Sequence, residues 1–448
     1  MGATHITRRQ ALHMTAAAAA LPLVHIRTAG AAGKLTVGLT DHWVIEGNDV
    51  MRRIVEAWAE QNKVQVQLEF VTSTGAKNLL TLATEAQSRT GHDVRAFPTW
   101  MVHQYAAQLE PMDDVMQRLT AQYGGVSGIL DYLARIDGVW RALPCSPMSK
   151  NMASCVRFDV FREHCGLDVQ AMYPAKPVAT QESDNWNWDT FLRAAAQCHA
   201  AGMPLGLTLS NSGDAVDWCG SLFAGFGAQL IDAKGAITVR SDRVRAVLDY
   251  ASKLTHFVDP AVYGWDGAGN NRALISGHTA LIFDAPSAWS VAKKDAPHVA
   301  ENCWSFPNPK GSAGRFVPYN PQFWGVWSFA QNKSAAKDLL EHLSRREQVH
   351  RMADATHGYD IPPFQSMTDF DIWEKEGPPT GVFYNYPVKP QHHATPIVAG
   401  YPAPPEIAVQ IYNNGTMPQM IQRLGPGGQT VEQVIDWAEG ELESYNRT

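Results

Sequence analysis

From Lys34 onward the sequence alternates short apolar, β-branched runs with amphipathic stretches, and that alternation restricts the possible folds more than any other feature. Residues 34–40 (KLTVGLT) read as a strand. Residues 48–61 place Val50, Ile54, Val55 and Trp58 on one helical face, and 64–71 read as a second strand. Strand, helix and strand within forty residues make one β-α-β unit, which a helix over 75–88, a strand over 92–97 and a helix from Trp100 extend. Parallel strands joined by crossover helices need both sheet faces covered, so the pattern predicts an α/β fold with a parallel, doubly wound sheet. A chain of 448 residues has room for two or three domains at roughly 100–200 residues each.

A second alternating block follows the extended segment DGVWRALP (137–144). Asn187 caps a helix over 188–201 with Phe191, Ala195 and Cys198 inward, and 204–209 is predicted to return as a strand. Residues 214–225 read as an apolar helix, 228–241 as a strand and turn around Lys234-Gly235, 242–257 as a helix, and 279–283 (TALIF) as a buried strand. After a loop at 307–312 come a strand over 323–329 and an amphipathic helix over 333–346. Residues 377–405 are rich in Pro, Tyr and His and lack periodicity, and helices near 405–424 and 430–445 close the chain.

Composition removes several function classes. With 18% charged and 45% hydrophobic residues and no run of about 18 apolar positions, the body of the chain is globular and cannot span a bilayer as a helix. A net charge of −7 lacks the electrostatic footprint of a nucleic-acid binder. Six cysteines at 145, 155, 165, 198, 219 and 303 show no C-x-x-C or zinc spacing, so buried free thiols are the expectation and no pairing is readable. His392-His393 reads as a solvated loop, so no metal and no cofactor are expected. Motifs of the types G-x-S-x-G, G-x-x-x-x-G-K-[ST], H-E-x-x-H and G-x-G-x-x-G do not occur. Asp113-Asp114 form no sequence-visible acid/base pair, and the chain is expected not to be an enzyme.

Residues 1–31 resemble a bacterial twin-arginine signal peptide: Arg8-Arg9, an Ala-rich apolar stretch over 15–24, and the small-residue segment 28–32. The resemblance implies a periplasmic protein, soluble and, with no cysteine near the cleavage region, not lipid-anchored. Cleavage near Ala31 removes Arg8, Arg9 and Arg27 and no acid, which takes the net charge of −7 down by three to −10.

Several further segments, in order, resemble the extracellular solute-binding proteins of ABC importers, the family of maltose-binding-protein-like receptors. They are GHDVRAFPTW (91–100) with QLEPMDD (108–114), DGVWRALP (137–144), VRFDVFREHCGL (156–167), WNWDTF (186–191), SGHTALIFDAPSAW (276–289) and QNKSAAKDLLEHL (331–343). The resemblance implies a two-lobed α/β fold of type II, each lobe a sheet flanked by helices, with strands crossing near 142–146 and 316–324. Lobe 1 would hold 34–141 plus 322–350, and lobe 2 would hold 142–321 plus 351–448. It implies capture of a small polar solute, a sugar or sugar derivative, by hinge closure, and delivery by a monomeric receptor to the permease subunits of an ABC transporter. Two rival readings stand beside it: a carbohydrate-active enzyme exported by the same route, and a binder of an amine such as a polyamine or betaine.

A sugar needs flat apolar faces to stack on and polar groups for its hydroxyls, and α/β sheets bind ligands at the carboxyl ends of their strands. Asp41, His42, Trp43 and Glu46 follow the first strand and Trp100 follows the third, so all five are placed at the cleft; the alternative for each tryptophan is packing against the next helix. Trp218, in an apolar helix, fits core and cleft equally. The resemblance places Asp284, Ser287 and Trp289 toward the solute, although its usual stacking position holds Ser287. It places Tyr319, Asn320 and Trp324 at the second crossing, as cleft wall or stiff hinge, and Tyr359 beside Asp360 at one further contact. Tyr384 and Tyr386 are cleft lips or plain surface residues.

Overall fold

The computed structural model describes residues 33–172, 180–367, 369–372 and 394–446. The signal-like segment, Tyr384, Tyr386 and His392-His393 lie outside them. Everything below concerns the unit Lys34–Thr448.

The first alternating block folds as its periodicity predicts. β1 (Lys34–Thr40), α1 (Glu46–Asn62), β2 (Gln65–Val71), α2 (Lys77–Ser88) and β3 (Val94–Pro98) follow one another, with β1 parallel to β2 over its whole length and to β3 at Val37 and Gly38. Leu35, Val37 and Leu39 of β1 are buried against Ile54, Val55 and Trp58 of α1 in one core. Next come α3 (Met101–Tyr105), α4 (Asp113–Tyr123), α5 (Gly128–Ala134), β4 (Leu143–Asn151), β5 (Ala153–Arg157), α6 (Phe158–Cys165), α7 (Trp188–Ala200), α8 (Gly213–Gly225) and α9 (Asp242–Leu254). They are followed by α10 (Gly269–Ile275), β6 (Leu281–Asp284), α11 (Ser287–Asp295), β7 (Cys303–Phe306), β8 (Gly314–Val326), α12 (Lys333–Leu343), α13 (Arg346–Ala355), β9 (Thr395–Ile397), α14 (Pro405–Asn413), α15 (Thr416–Leu424) and α16 (Val431–Tyr445). Among the described residues no helix is long and apolar enough to cross a membrane.

Three elements differ from the sequence expectation. The strand expected over 323–329 is the end of a thirteen-residue strand, β8, that begins at Gly314 and passes through Pro318 and Pro321. Proline carries no N–H but keeps its acceptor, and here the Pro318 and Pro321 carbonyls accept from Met152 and Thr99. The register against β4 shifts between Asn320 and Gln322, which accommodates Pro321. Because β8 runs antiparallel to β3 and β4, the first sheet is mixed rather than parallel. The second sheet, in the order β6-β5-β7, is wholly antiparallel. The expected strand at 204–209 forms one bridge, Leu205 to Val258. Gly206 lies so close to β6 that a Cβ there would meet Ile282 Cγ2 at 2.9 Å, and its N–H donates to the Leu281 carbonyl.

β4 and β8 join the two sheets. At one end they pair with each other beside β3; at the other, β4 runs into β5 of the second sheet. There the Arg315 guanidinium of β8 donates to the carbonyls of Ser183, Trp186 and Asn308. At roughly 3.3 Å per residue, thirteen residues reach about 43 Å, enough to span both halves. α13 packs on α1, and Gln365 and Ser366 donate to the carbonyls of Gly125 and Tyr123, so residues 346–366 lie with the first sheet.

Candidate functional site

A cavity of about 460 Å³ opens at the carboxyl ends of β1, β2 and β3. Thr40 and Trp43 come from the end of β1, Ser73 to Ala76 from the end of β2, and Pro98 and Thr99 from the end of β3. Lys150 of β4 and Asn320 and Gln322 of β8 form the floor. The facing wall comes from the second half of the chain: Ser210 to Asp214 at the start of α8, Trp265 to Ala268 before α10, and Tyr412-Asn413 at the end of α14. The volume lies within the range of small-molecule sites, about 300–1,000 Å³.

Two half-buried tryptophans line this cavity, Trp43 in the β1–α1 connection and Trp265 in the Gly264-to-Gly269 stretch. Gly269 seats the second. A Cβ at 269 would lie 2.5 Å from Cβ and Cγ of Trp265, so only glycine lets the indole fold over the start of α10. Beneath them lies a charged cluster. The Lys150 ammonium stands 4.0 Å from both Asp214 and Asp284, and Asp217 lies one helical turn beyond Asp214 on α8. All four side chains are buried. Burial alone would lower the Lys150 pKa, but Asp214, Asp284 and Asp217 outweigh it and hold the lysine above its ordinary value. Burial raises the carboxyls, Asp217 and Asp284 each to about 7, with the lysine opposing.

A polar chain crosses the cavity floor. Asn320 Nδ2 donates to Asp217 Oδ2 at 2.9 Å, and Asn320 Oδ1 accepts from the Thr99 hydroxyl at 3.2 Å and from Gln322 Nε2 at 3.1 Å. The Tyr412 hydroxyl is hydrogen-bonded to both Asp217 and Thr99. The buried atoms that keep no hydrogen-bond partner here are acceptors for the most part: Asp214 Oδ2, Asp217 Oδ1, Gln322 Oε1 and the Ser210 hydroxyl. The floor therefore suits a ligand that donates hydrogen bonds.

Of the twelve residues expected at the cleft, Trp43 and Asn320 line this cavity. Trp100 is placed elsewhere: its indole is fully buried, its Nε1 donates to the Ala399 carbonyl at 3.1 Å, and its ring meets Tyr132 edge-on. Its neighbours Thr99 and Met101 reach the cavity while the indole turns into the core. His42 is a buried strut. Its Nε2 lies 2.8 Å from Asp360 Oδ1, which also accepts from the Met148 N–H, and its Nδ1 accepts from the Val44 N–H. Tyr359 packs edge-on against it, and Asp41 accepts from Asn48 Nδ2, while Glu46 is exposed in the first turn of α1. Asp284 stands behind the wall, bonded by Asn270, and Ser287 bonds Asn271. Trp289 meets Trp304 edge-on at 4.4 Å, with the Lys293 ammonium over its ring. Tyr319 is buried, and Trp324 borders a void of only about 20 Å³. Trp218 is core, stacked on Phe283 with its Nε1 bonded to the Thr208 carbonyl.

Trp265, Lys150, Asp214 and Tyr412 are not among the residues expected at the cleft from the sequence. A lysine inside the run 143–156 and a tryptophan in a glycine-rich stretch, GWDGAG, were the available signals.

Comparison with known proteins places this geometry. The model of the bacterial extracellular solute-binding protein family matches residues 53–378. Maltose-bound MalE3 of T. maritima superposes with a TM-score of 0.70 at 17% identity, covering 92% of this chain and 99% of that one. A solute-binding protein of an ABC transporter from Thermotoga lettingae, bound with α-D-tagatose, gives 0.71 at 17% identity, with 92% and 99% covered. The GacH receptor of Streptomyces glaucescens, solved with and without acarbose, gives 0.69 at 16% identity, with 93% and 98% covered. A comparison with curated protein sequences gives no match. The fold is the two-lobed binding-protein fold, each lobe a sheet flanked by helices with the cleft between them.

Proposed function

Since this chain belongs to the bacterial extracellular solute-binding family, we propose that it is the periplasmic receptor of an ABC importer, capturing an uncharged sugar or sugar derivative in the 460 Å³ cavity. The observation that carries this reading is the pairing of two half-buried tryptophans with a floor of unpartnered acceptors. Indole faces stack on the apolar face of a pyranose, and carboxylate and amide oxygens accept from its hydroxyls. The ligands named for the neighbours, maltose, tagatose and acarbose, agree with that chemistry.

The proposed contacts are Trp43, Trp265, Asp214, Asn320, Lys150 and Tyr412, with Asp41, His42 and Asp360 holding the β1–α1 connection in place. The first lobe is assigned residues 34–141 and 322–350; the packing of α13 on α1 and the bonds of Gln365 and Ser366 to Gly125 and Tyr123 support extending it through 366. The second lobe is 142–321 with the remainder. Closure rotates the lobes about β4 and β8, and the closed monomer is the form the permease subunits recognise. Export follows the twin-arginine route, with residues 1–31 removed.

Isothermal titration against a panel of neutral sugars, uronic acids, polyamines and betaine tests the reading. The expected result is saturable binding of at least one neutral sugar, recovered chemically unchanged, and no response to uronic acids. Turnover of the sugar, or binding confined to the amines, would overturn it.

A further inference from the structure

Four of the six cysteines stand in two close pairs. Cys155 Sγ lies 3.4 Å from Cys303 Sγ, and Cys165 Sγ lies 3.4 Å from Cys198 Sγ. The separations are equal but the surroundings are not. Cys155 and Cys303 are both fully buried on adjacent antiparallel strands, where Cys155 is paired with Ser305 and Cys303 with Arg157. That is a diagonal relation, with Cα atoms about 7–8 Å apart, outside the roughly 4.4–6.8 Å that a disulfide spans without backbone movement. No oxidant reaches either sulfur in the folded chain. Cys165 is the last residue of α6, half-buried, and Cys198 lies on α7, the helix packed against it. Cys165 Sγ is also within 3.8 Å of the Ala194 carbonyl, one turn before Cys198. The two sulfurs therefore face each other across a helix–helix contact.

We propose that Cys165 and Cys198 form a disulfide when the folded protein meets a disulfide-bearing oxidant, stapling the end of α6 to α7, while Cys155 and Cys303 stay thiols. The Cys165 thiolate attacks one sulfur of the oxidant R–S–S–R′, forming a Cys165–S–S–R bond and expelling R′S⁻. Cys198 then loses its proton and attacks Cys165 Sγ, forming the Cys165–Cys198 bond and expelling RS⁻. The two cysteines give up two electrons and two protons, and the oxidant leaves as two thiols. The contact between the two sulfurs lowers the Cys165 pKa and raises that of Cys198, so the half-buried sulfur is the attacking one. The staple closes a loop of 33 positions that contains the beginning of α7. Extracytoplasmic compartments hold oxidants of this class.

The purified chain is incubated with glutathione disulfide, denatured in excess N-ethylmaleimide so that every remaining thiol is blocked as it is exposed, and mapped by mass spectrometry. The expected result is a cross-linked peptide joining 165 to 198 and, of the six cysteines, alkylation of the other four. The oxidised protein melts about 5 °C above the reduced one. In Cys198→Ser the resolving thiol is gone, and a glutathione adduct accumulates on Cys165; in Cys165→Ser, Cys198 acquires none. Six alkylated cysteines, a 155–303 cross-link, or glutathione left on wild-type Cys165 would each overturn the proposal. The outcome does not depend on which solute the cavity takes.

Discussion

Truncating a tryptophan that lines a cavity and one that fills a core has opposite signatures, which separates Trp43 and Trp265 from Trp100. Trp265→Ala and Trp43→Ala are each expected to weaken sugar binding at least tenfold, about 1.4 kcal/mol, while leaving the melting temperature within about 2 °C of wild type. Trp100→Ala is expected to cost about 3–5 kcal/mol of stability, as deletion of a fully buried aromatic side chain does; calorimetry beside titration reads both. Asp217 adds a pH signature. Its pKa is raised to about 7 in the folded chain by burial, against about 3.9 when unfolded. The native state therefore binds a proton that the unfolded state has released between those values, so stability falls as pH rises through that window and levels off above 7. Asp217→Asn is expected to flatten the fall of melting temperature between pH 4.5 and 7. A slope equal to wild type would refute the assignment. At this scale the sequence showed which residue types a sugar site needs and placed Trp43 at a strand end, but a strand-end position does not say which way a side chain turns. Trp100 shares that position with Thr99 and turns inward because its indole N–H finds the Ala399 carbonyl, a partner 299 positions away.

Legibility among the elements follows how local their determinants are. β1 through β3 were readable because each strand and helix carries its own period and the β1–β2 pairing closes one β-α-β unit, Lys34 meeting Gln65. β8 was not, because Pro318 and Pro321 interrupt the pattern and their tolerance depends on donors from Met152 and Thr99. The antiparallel order of β6, β5 and β7 was equally hidden, since alternation fixes which face a residue takes and not the direction of the neighbouring strand. The turn into α10 shows the same dependence at a single position. Gly269→Ala puts a methyl carbon where Trp265 Cβ and Cγ stand, 2.5 Å away. The expected outcome is a displaced Trp265, with sugar affinity lowered about as far as in Trp265→Ala. Wild-type affinity in this variant would remove Trp265 from the site.

On the scale of the whole molecule, the two sheets are joined by β4 and β8, and the polar chain Thr99–Asn320–Asp217 ties β3 of the first half to α8 of the second through a residue on β8 itself. A contact that holds two lobes together acts on the closed state more than on the encounter, so its loss appears mainly in the rate of release. Asn320→Ala removes its three side-chain hydrogen bonds, with Asp217, Thr99 and Gln322, and leaves Asp217, already short of a partner at Oδ1, with the Tyr412 contact alone. Sugar affinity is expected to fall about five- to thirtyfold, in line with about 1–2 kcal/mol for lost buried hydrogen bonds, with most of the change in the dissociation rate by stopped-flow fluorescence. Small-angle scattering is expected to show a smaller radius of gyration for wild type on adding the sugar, and the same decrease for Asn320→Ala at saturation, because the crossing strands remain intact. If the loss lay wholly in the association rate, Asn320 would be a docking group on the open cleft. If scattering showed no compaction in either protein, the solute would be held without lobe closure.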